Sequence, residues 1–250
     1  MILQGKVVAI TGAATGIGRA IAVGMSQQGA KVSINYINGQ ENEIQSLKEE
    51  IPDLLAVEGD IRHPETSLNL IEQTVKKFGE LNVFVSNAGV CKFMEFTKID
   101  YDLYKDTVSI NLDGAFFATQ AAAAQMIKQG KGGSIIGISS ISALVGGGLQ
   151  AHYTPTKAAI LSLMQSTACA LGKHKIRCNA LLPGTIKTQL NEEDLQDPQK
   201  KAYMEGRIPL GRLGVPSDMA GPAIFLASDL SEYVTGAQIL VDGGLFVNLQ

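Results

Sequence analysis

A chain of 250 residues, 45% of them hydrophobic, can bury a sizeable core by itself, and a single domain is the expected organisation. Its formal net charge of -3 leaves no cationic surplus of the kind that nucleic acid or an anionic membrane surface requires, so small molecules are the expected partners. Cys91, Cys169 and Cys178 have no CxxC spacing and cannot all pair, which fits a reducing compartment and argues against a metal site. No basic-then-apolar leader precedes the first apolar run, and no run approaches the roughly 20 residues of a membrane helix. The sequence therefore predicts a soluble, cytoplasmic protein.

In chain order, short β-branched apolar runs at 6–10, 30–36, 54–59, 81–87, 133–139, 175–182 and 237–243 predict seven strands. Most are apolar without in/out alternation, as expected where helices cover both faces of a parallel sheet. Helical periods fill the intervals, among them 16–29, 65–79 and 101–130, several stopped by glycine. The alternation predicts an α/β fold, a doubly wound, mostly parallel seven-stranded sheet of Rossmann type, in one domain spanning 1–250. Residues 184–214 break the rhythm after the sixth strand. A connection of that length is usually functional, and it is read as a substrate lid.

Three places carry chemistry. The turn TGAATGIG at 11–18 lies between the first strand and first helix. Gly12 permits the tight turn, Gly16 admits a pyrophosphate to the backbone, and Gly18 allows helix and strand to pack closely. Thr15 and Ile17 complete this dinucleotide-binding turn, whose helix end offers free N–H groups to an anion. A lone glycine-rich turn is a weak signal, and its position after the first strand strengthens it. Asp60 and Ile61 follow the third strand, and Asn87 and Gly89 the fourth, so all reach the same crevice; Asp60 is expected at an adenine. Tyr153 and Lys157 lie four apart on one helix face, thirteen residues after Ser140. A tyrosine needs nearby positive charge to act as a base near neutral pH, and Lys157 with an oxidised nicotinamide supplies it. Ser140 then holds the substrate oxygen.

TGxxxGIG, SNAG, Asn111 in NLDG, Ser140, YxxxK and PGTIKT resemble, in this order and over the whole chain, the short-chain dehydrogenase/reductase family. The resemblance implies that Asn111, Ser140, Tyr153 and Lys157 are catalytic, with Asn111 supporting a water relay to Lys157. It also implies that Pro183, Gly184, Ile186 and Thr188 hold the nicotinamide carboxamide, and that the protein is a homotetramer. Two departures, Ser86 for the family's usual asparagine and Thr154 and Pro155 for small residues, remove no catalytic group. Within the family, the segments at 139–157 and 241–250 are most similar to dehydrogenases of an aldose C1, which implies a sugar substrate, L-rhamnose foremost.

For the cofactor, an acidic residue ending the second strand would favour NAD, and an arginine there or in the glycine turn would favour NADP. Tyr36, Ile37 and Thr15 stand at those places, so neither determinant is present; Tyr36 is still expected to contact the cofactor, as are Tyr153 and Lys157. The reading leans to NAD and leaves dual NAD or NADP use open. For the substrate, Ser140, Ser142, Tyr153 and Thr185 are expected contacts, within a polar set that includes Cys91, Lys92, Gln150, His152, Gln189 and Asn191. The alternatives are a 3-oxoacyl reductase acting on a carrier-bound thioester, against which Glu192, Glu193, Asp194 and Asp197 on the lid argue, and a non-enzymatic dinucleotide sensor, against which the intact Ser/Tyr/Lys set argues.

Overall fold

The computed structural model describes residues 1–189 and 195–248. The expected lid residues Asn191, Glu192, Glu193 and Asp194 therefore lie outside the described residues. Seven strands form one sheet: β1 (Val7–Ile10), β2 (Lys31–Tyr36), β3 (Leu55–Glu58), β4 (Val83–Ser86), β5 (Gly133–Ile138), β6 (Ile176–Pro183) and β7 (Gln238–Val241). Their order is β3-β2-β1-β4-β5-β6-β7. All six pairings are parallel, so no antiparallel edge interrupts the sheet.

The apolar runs are continuous because both faces are covered. Val8, Ile10, Val85, Ile136 and Leu181 pack on one face against α1 (Gly16–Gln27) and α8 (Ala220–Ala227). Ala9, Phe84, Ile135 and Leu182 pack on the other, against α3 (Pro64–Phe78), α5 (Gly114–Gln129) and α6 (Thr154–Leu171). Full burial of each such Val, Ile, Leu or Phe contributes about 1.5–3 kcal/mol. The helices α2 (Glu41–Glu50), α4 (Tyr101–Val108) and α7 (Pro198–Gly206) complete the set among the described residues, and α7 falls within 184–214.

The helix expected over 101–130 has one irregularity. Between α4 and α5 the path widens into a π turn at Ser109–Asp113. Ser109 Oγ donates to the Lys105 and Asp106 carbonyls, local bonds of the kind that bend a helix, and the widened turn carries Asn111.

Where β1 passes from β2 to β4, the strand ends separate and leave backbone groups without ladder partners. Asn35, 1% exposed, supplies some of them. Its Oδ1 accepts the Gly12 N–H at 3.4 Å, and its Nδ2 donates to the Gly59 carbonyl at 2.8 Å. One amide thus ties the ends of β1, β2 and β3. Asn35→Ala is expected to lower the urea midpoint of unfolding by an amount equivalent to about 1–3 kcal/mol, the cost of buried polar groups left unpaired. An unchanged midpoint would show that the tie is dispensable.

Candidate active site

The C-terminal ends of the strands open onto one cleft of about 800 Å³. Its middle is the glycine turn. Gly12 adopts φ +61°, and a side chain there would bring its Cβ to 2.8 Å from the Ala88 Cα, so the turn and the end of β4 touch backbone to backbone. Thr11 Oγ1 accepts the N–H groups of Asn87 and Ala88, while Asn87 Nδ2 donates to the carbonyls of Thr11 and Gly12. These bonds fix the turn beneath the N-terminus of α1, whose first turn carries no acidic residue and leaves its N–H groups available to an anion. Thr15, Gly16 and Ile17 line the cleft, and Thr188 faces Gly16 across it. Gly18 does not line it. A side chain at Gly18 would run into Asn87 Nδ2 and the Gly12 carbonyl, so its contribution is the close packing expected of it. A bare-backbone cradle at a helix N-terminus, at the centre of an elongated cleft, fits a dinucleotide pyrophosphate.

One end of the cleft is walled by Asn35, Ile37, Gln40, Asp60, Ile61 and Arg62. Tyr36 is not among them. Its ring packs against the core beneath the sheet, because side chains alternate along β2 and this position points away from the cleft. Asn35 and Arg62, which the sequence reading passed over, stand here instead. Arg62 binds Asp60 through Nε and Nη2, at 2.9 and 2.6 Å, and this hydrogen bonding holds the Asp60 carboxyl below its usual range. The arginine missing from the end of β2 and from the glycine turn is thus present nearby, carried in by the loop after β3.

At the other end stand Ser140, Tyr153 and Lys157. Proline at the start of α6 fixes where the helix begins, and Lys157 N–H donates to the Tyr153 carbonyl, so the two side chains share one face. Lys157 is 5% exposed; its Nζ donates to the Ile138 carbonyl at 3.0 Å and lies 5.6 Å from the centre of the Tyr153 ring. Burial lowers the Lys157 amine to about 8. Burial likewise pushes the Tyr153 phenol well above its ordinary value; Cys91 adds to the rise and the Ser140 hydroxyl opposes it. The help expected for the phenol comes from Lys157 together with an oxidised nicotinamide; in the protein by itself, burial is the largest influence on the phenol.

Asn111 is fully buried and does not line the cleft. Its side chain clamps the loop after β4, accepting from Val90 N–H at 2.8 Å and donating to the Val90 carbonyl at 2.9 Å and to Thr156 Oγ1 at 3.2 Å. Gly89 sits where Asn111 and Lys157 converge: a Cβ there would lie 3.3 Å from Asn111 Oδ1 and 3.5 Å from Lys157 Nζ. Pro183, Gly184, Ile186 and Thr188 all line the cleft beyond β6.

The expected polar set around the catalytic end divides. Cys91, Ser142, Gln150, Thr185 and Gln189 line the cleft, and Gln150 Nε2 donates to Cys91 Sγ at 3.4 Å. Lys92 and His152 do not line it. His152 is 2% exposed; burial holds its pKa below the ordinary value, against an opposing contact with the Lys92 backbone, so its ring packs inside the protein. Asn191 lies outside the described residues. Apolar side chains that the sequence pattern did not single out complete the wall, namely Phe93, Val145, Leu149 and Met204. Lys200 and Met204 reach the cleft from α7, and Lys200 Nζ lies 5.8 Å from the centre of the Phe93 ring.

Residues 12–246 match a family profile described as enoyl-(acyl carrier protein) reductase. The chain is similar to an L-rhamnose-1-dehydrogenase of Scheffersomyces stipitis, with 69% identity covering 100% of this chain and 99% of the relative. It is 56% identical to an L-rhamnose 1-dehydrogenase (NAD(P)(+)) of a Sphingomonas species, covering 100% and 99%. Among solved structures, a short-chain type dehydrogenase/reductase from Mycobacterium marinum superposes with a TM-score of 0.91 at 32% identity, covering 97% of this chain and 96% of that one.

The lowered Lys157 amine has a measurable consequence. Between about pH 8 and pH 10.5 the unfolded chain holds a proton that the folded protein lacks, so stability from this group rises with pH across that window. Relative to Lys157→Met, the native protein is expected to gain up to roughly 3 kcal/mol of unfolding free energy between these limits. Parallel urea midpoints for the two proteins over the window would refute the assignment.

Proposed function

The chain belongs to the short-chain dehydrogenase/reductase family, and on that footing we propose that it is an NAD(P)-dependent sugar 1-dehydrogenase that oxidises L-rhamnose at its anomeric carbon to the lactone. The observation that carries the reading is the placement of Ser140, Tyr153 and Lys157 at one end of a single cleft whose centre is the glycine turn. When bound, the oxidised dinucleotide accepts the hydride, and its positive nicotinamide ring offsets the desolvation that keeps Tyr153 protonated. Ser140 orients the C1 hydroxyl, and Tyr153 Oη takes its proton. Lys157, held by Ile138 and beside the phenol ring, stabilises the phenolate.

Asn111 supports this end by holding the loop at Val90 and, in this reading, a proton relay to Lys157. Pro183, Gly184, Ile186 and Thr188 hold the nicotinamide; Gly12, Thr15, Gly16 and Ile17 hold the pyrophosphate; Asp60 and Ile61, with Asn87 and Gly89 further along, hold the rest of the dinucleotide. The segment 184–214 acts as the lid through α7, which already contributes Lys200 and Met204. L-rhamnose is a 6-deoxy sugar, with a methyl group among its hydroxyls. A wall that mixes Ser142, Gln150 and Thr185 with Phe93, Val145 and Leu149 can pair the hydroxyls and bury the methyl. The homotetramer belongs to the same reading, supported by the exposed aromatic face of Tyr101, Tyr104, Phe116 and Phe117 on α4 and α5, as does a cytoplasmic location. Among the described residues no helix is long and apolar enough to cross a membrane.

Tyr153→Phe keeps the ring and removes the proton acceptor. Turnover with L-rhamnose is expected to fall about 10²–10⁴-fold while the dissociation constant for the dinucleotide changes little; equal turnover would refute the base assignment.

Substrate class is decided by steady-state oxidation of L-rhamnose, L-mannose, L-lyxose, L-fucose and D-glucose, run beside reduction of an acetoacetyl thioester. L-rhamnose is expected to give the highest kcat/KM, and Thr185→Val to lower that value by about 10-fold or more, since a buried hydroxyl left unpaired costs about 1–3 kcal/mol. Thioester reduction without oxidation of any aldose would establish the acyl reductase instead.

A further inference from the structure

Positive charge is scarce in the cleft. Among the described residues its wall holds three cations, Arg62, Lys157 and Lys200. Lys157 lies against Tyr153, and Lys200 over Phe93, so both belong to the catalytic end. Arg62 stands at the opposite end with Ile37, Gln40 and Asp60, where the dinucleotide reading of the previous subsection places the adenosine.

Arg62 is shared between two carboxylates of unequal hold. Nε and Nη2 both bind Asp60 Oδ2, and Asp60 Oδ1 accepts the Arg62 backbone N–H at 2.9 Å. The second partner, Asp106 on α4, meets only Nη1, at 3.1 Å, and its side chain is 62% exposed. A guanidinium has five N–H donors, so the outer edge of Arg62 keeps donors beyond these bonds. The Asp60 contact rests on three hydrogen bonds, two from the guanidinium to one oxygen and one from the backbone N–H to the other, and is the harder to displace; the Asp106 contact is a single solvent-screened bond, which an incoming anion can replace. With one cation between two anions the cluster is net negative, which opposes a phosphate without forbidding it. Gln40 beside it is neutral: its Oε1 accepts the Ile37 N–H, and its amide N–H₂ can donate to a hydroxyl or to a phosphate alike.

We propose that Arg62 is the residue that pairs with a 2′-phosphate on the adenosine, and that Asp106 competes for it and sets how strongly the phosphorylated form of the cofactor is favoured. The pair Arg62–Asp106 then takes the place of the acidic or basic residue missing from the end of β2, and gives a site that admits NAD and NADP.

The test uses 5′-AMP and adenosine 2′,5′-bisphosphate, which differ only in the 2′-phosphate and do not reach the catalytic end. Binding to the full-length native protein, Arg62→Gln and Asp106→Asn is measured by calorimetry. Arg62→Gln is expected to weaken the bisphosphate about 10-fold or more while 5′-AMP shifts less than about threefold, and Asp106→Asn to tighten the bisphosphate alone. Raising salt from about 50 to about 500 mM is expected to shrink the native response to the 2′-phosphate. Equal effects of Arg62→Gln on both nucleotides, or a bisphosphate affinity indifferent to both substitutions, would overturn the proposal and leave the dehydrogenase reading intact. Failure of the native protein to bind either nucleotide would overturn both.

Discussion

An all-parallel sheet brings every loop-bearing strand end to one edge, and at the point where β1 exchanges β2 for β4 those ends lose their ladder partners. Buried backbone groups cannot stay unpaired without a cost of about 1–3 kcal/mol each, so side chains must complete the bonding. Four polar residues do so. Asn35 reaches Gly12 and Gly59, Thr11 and Asn87 bind one another's strands, and Asn111 clamps Val90. The cleft has its shape because these side chains tie the turns to one another through backbone groups.

The same enclosure sets the chemistry of the catalytic end. Taking a phenol and an amine out of water moves their proton affinities in opposite directions: the tyrosine holds its proton more tightly and the lysine less. Seen alone, the pair is poised against reaction. A cation beside the phenol would oppose that shift, which is the part the proposed reaction assigns to the oxidised cofactor.

Electrostatics at the far end follows a different rule. Arg62, Asp60 and Asp106 remain partly solvated; Asp60 holds Arg62 through three hydrogen bonds, and Asp106 through one that is open to exchange. An exchangeable contact suits an end of the cofactor that varies by a phosphate, just as an enclosed one suits the end where bonds are made and broken. The cleft wall nearer Tyr153 mixes polar and apolar groups, with Cys91 and Gln150 bonded to each other and Phe93 and Leu149 also lining it.

The sequence by itself determined the seven strands and their helices, the glycine turn and the Ser/Tyr/Lys set, because each is a local pattern: apolar period, chain-turn geometry, or residues a fixed few positions apart on one helix. Family likeness extended this to Asn111 and to the segment after β6. What only the tertiary structure decided concerns which way side chains point and which distant loops meet. Tyr36 packs half-buried against the core and His152 is buried away from the cleft wall, since neither strand pleat nor loop packing is visible in residue type. The π turn that aims Asn111 at Val90 breaks a helical period that reads as continuous. Arg62, on the loop after β3, joins Asp106 from α4, 44 positions away, beside the end of β2, because the sheet order places β3 next to β2; no pattern along the chain carries that meeting. Proximity created by crossover connections is a property of the folded sheet, and the residues it assembles become legible only once the strands are in order.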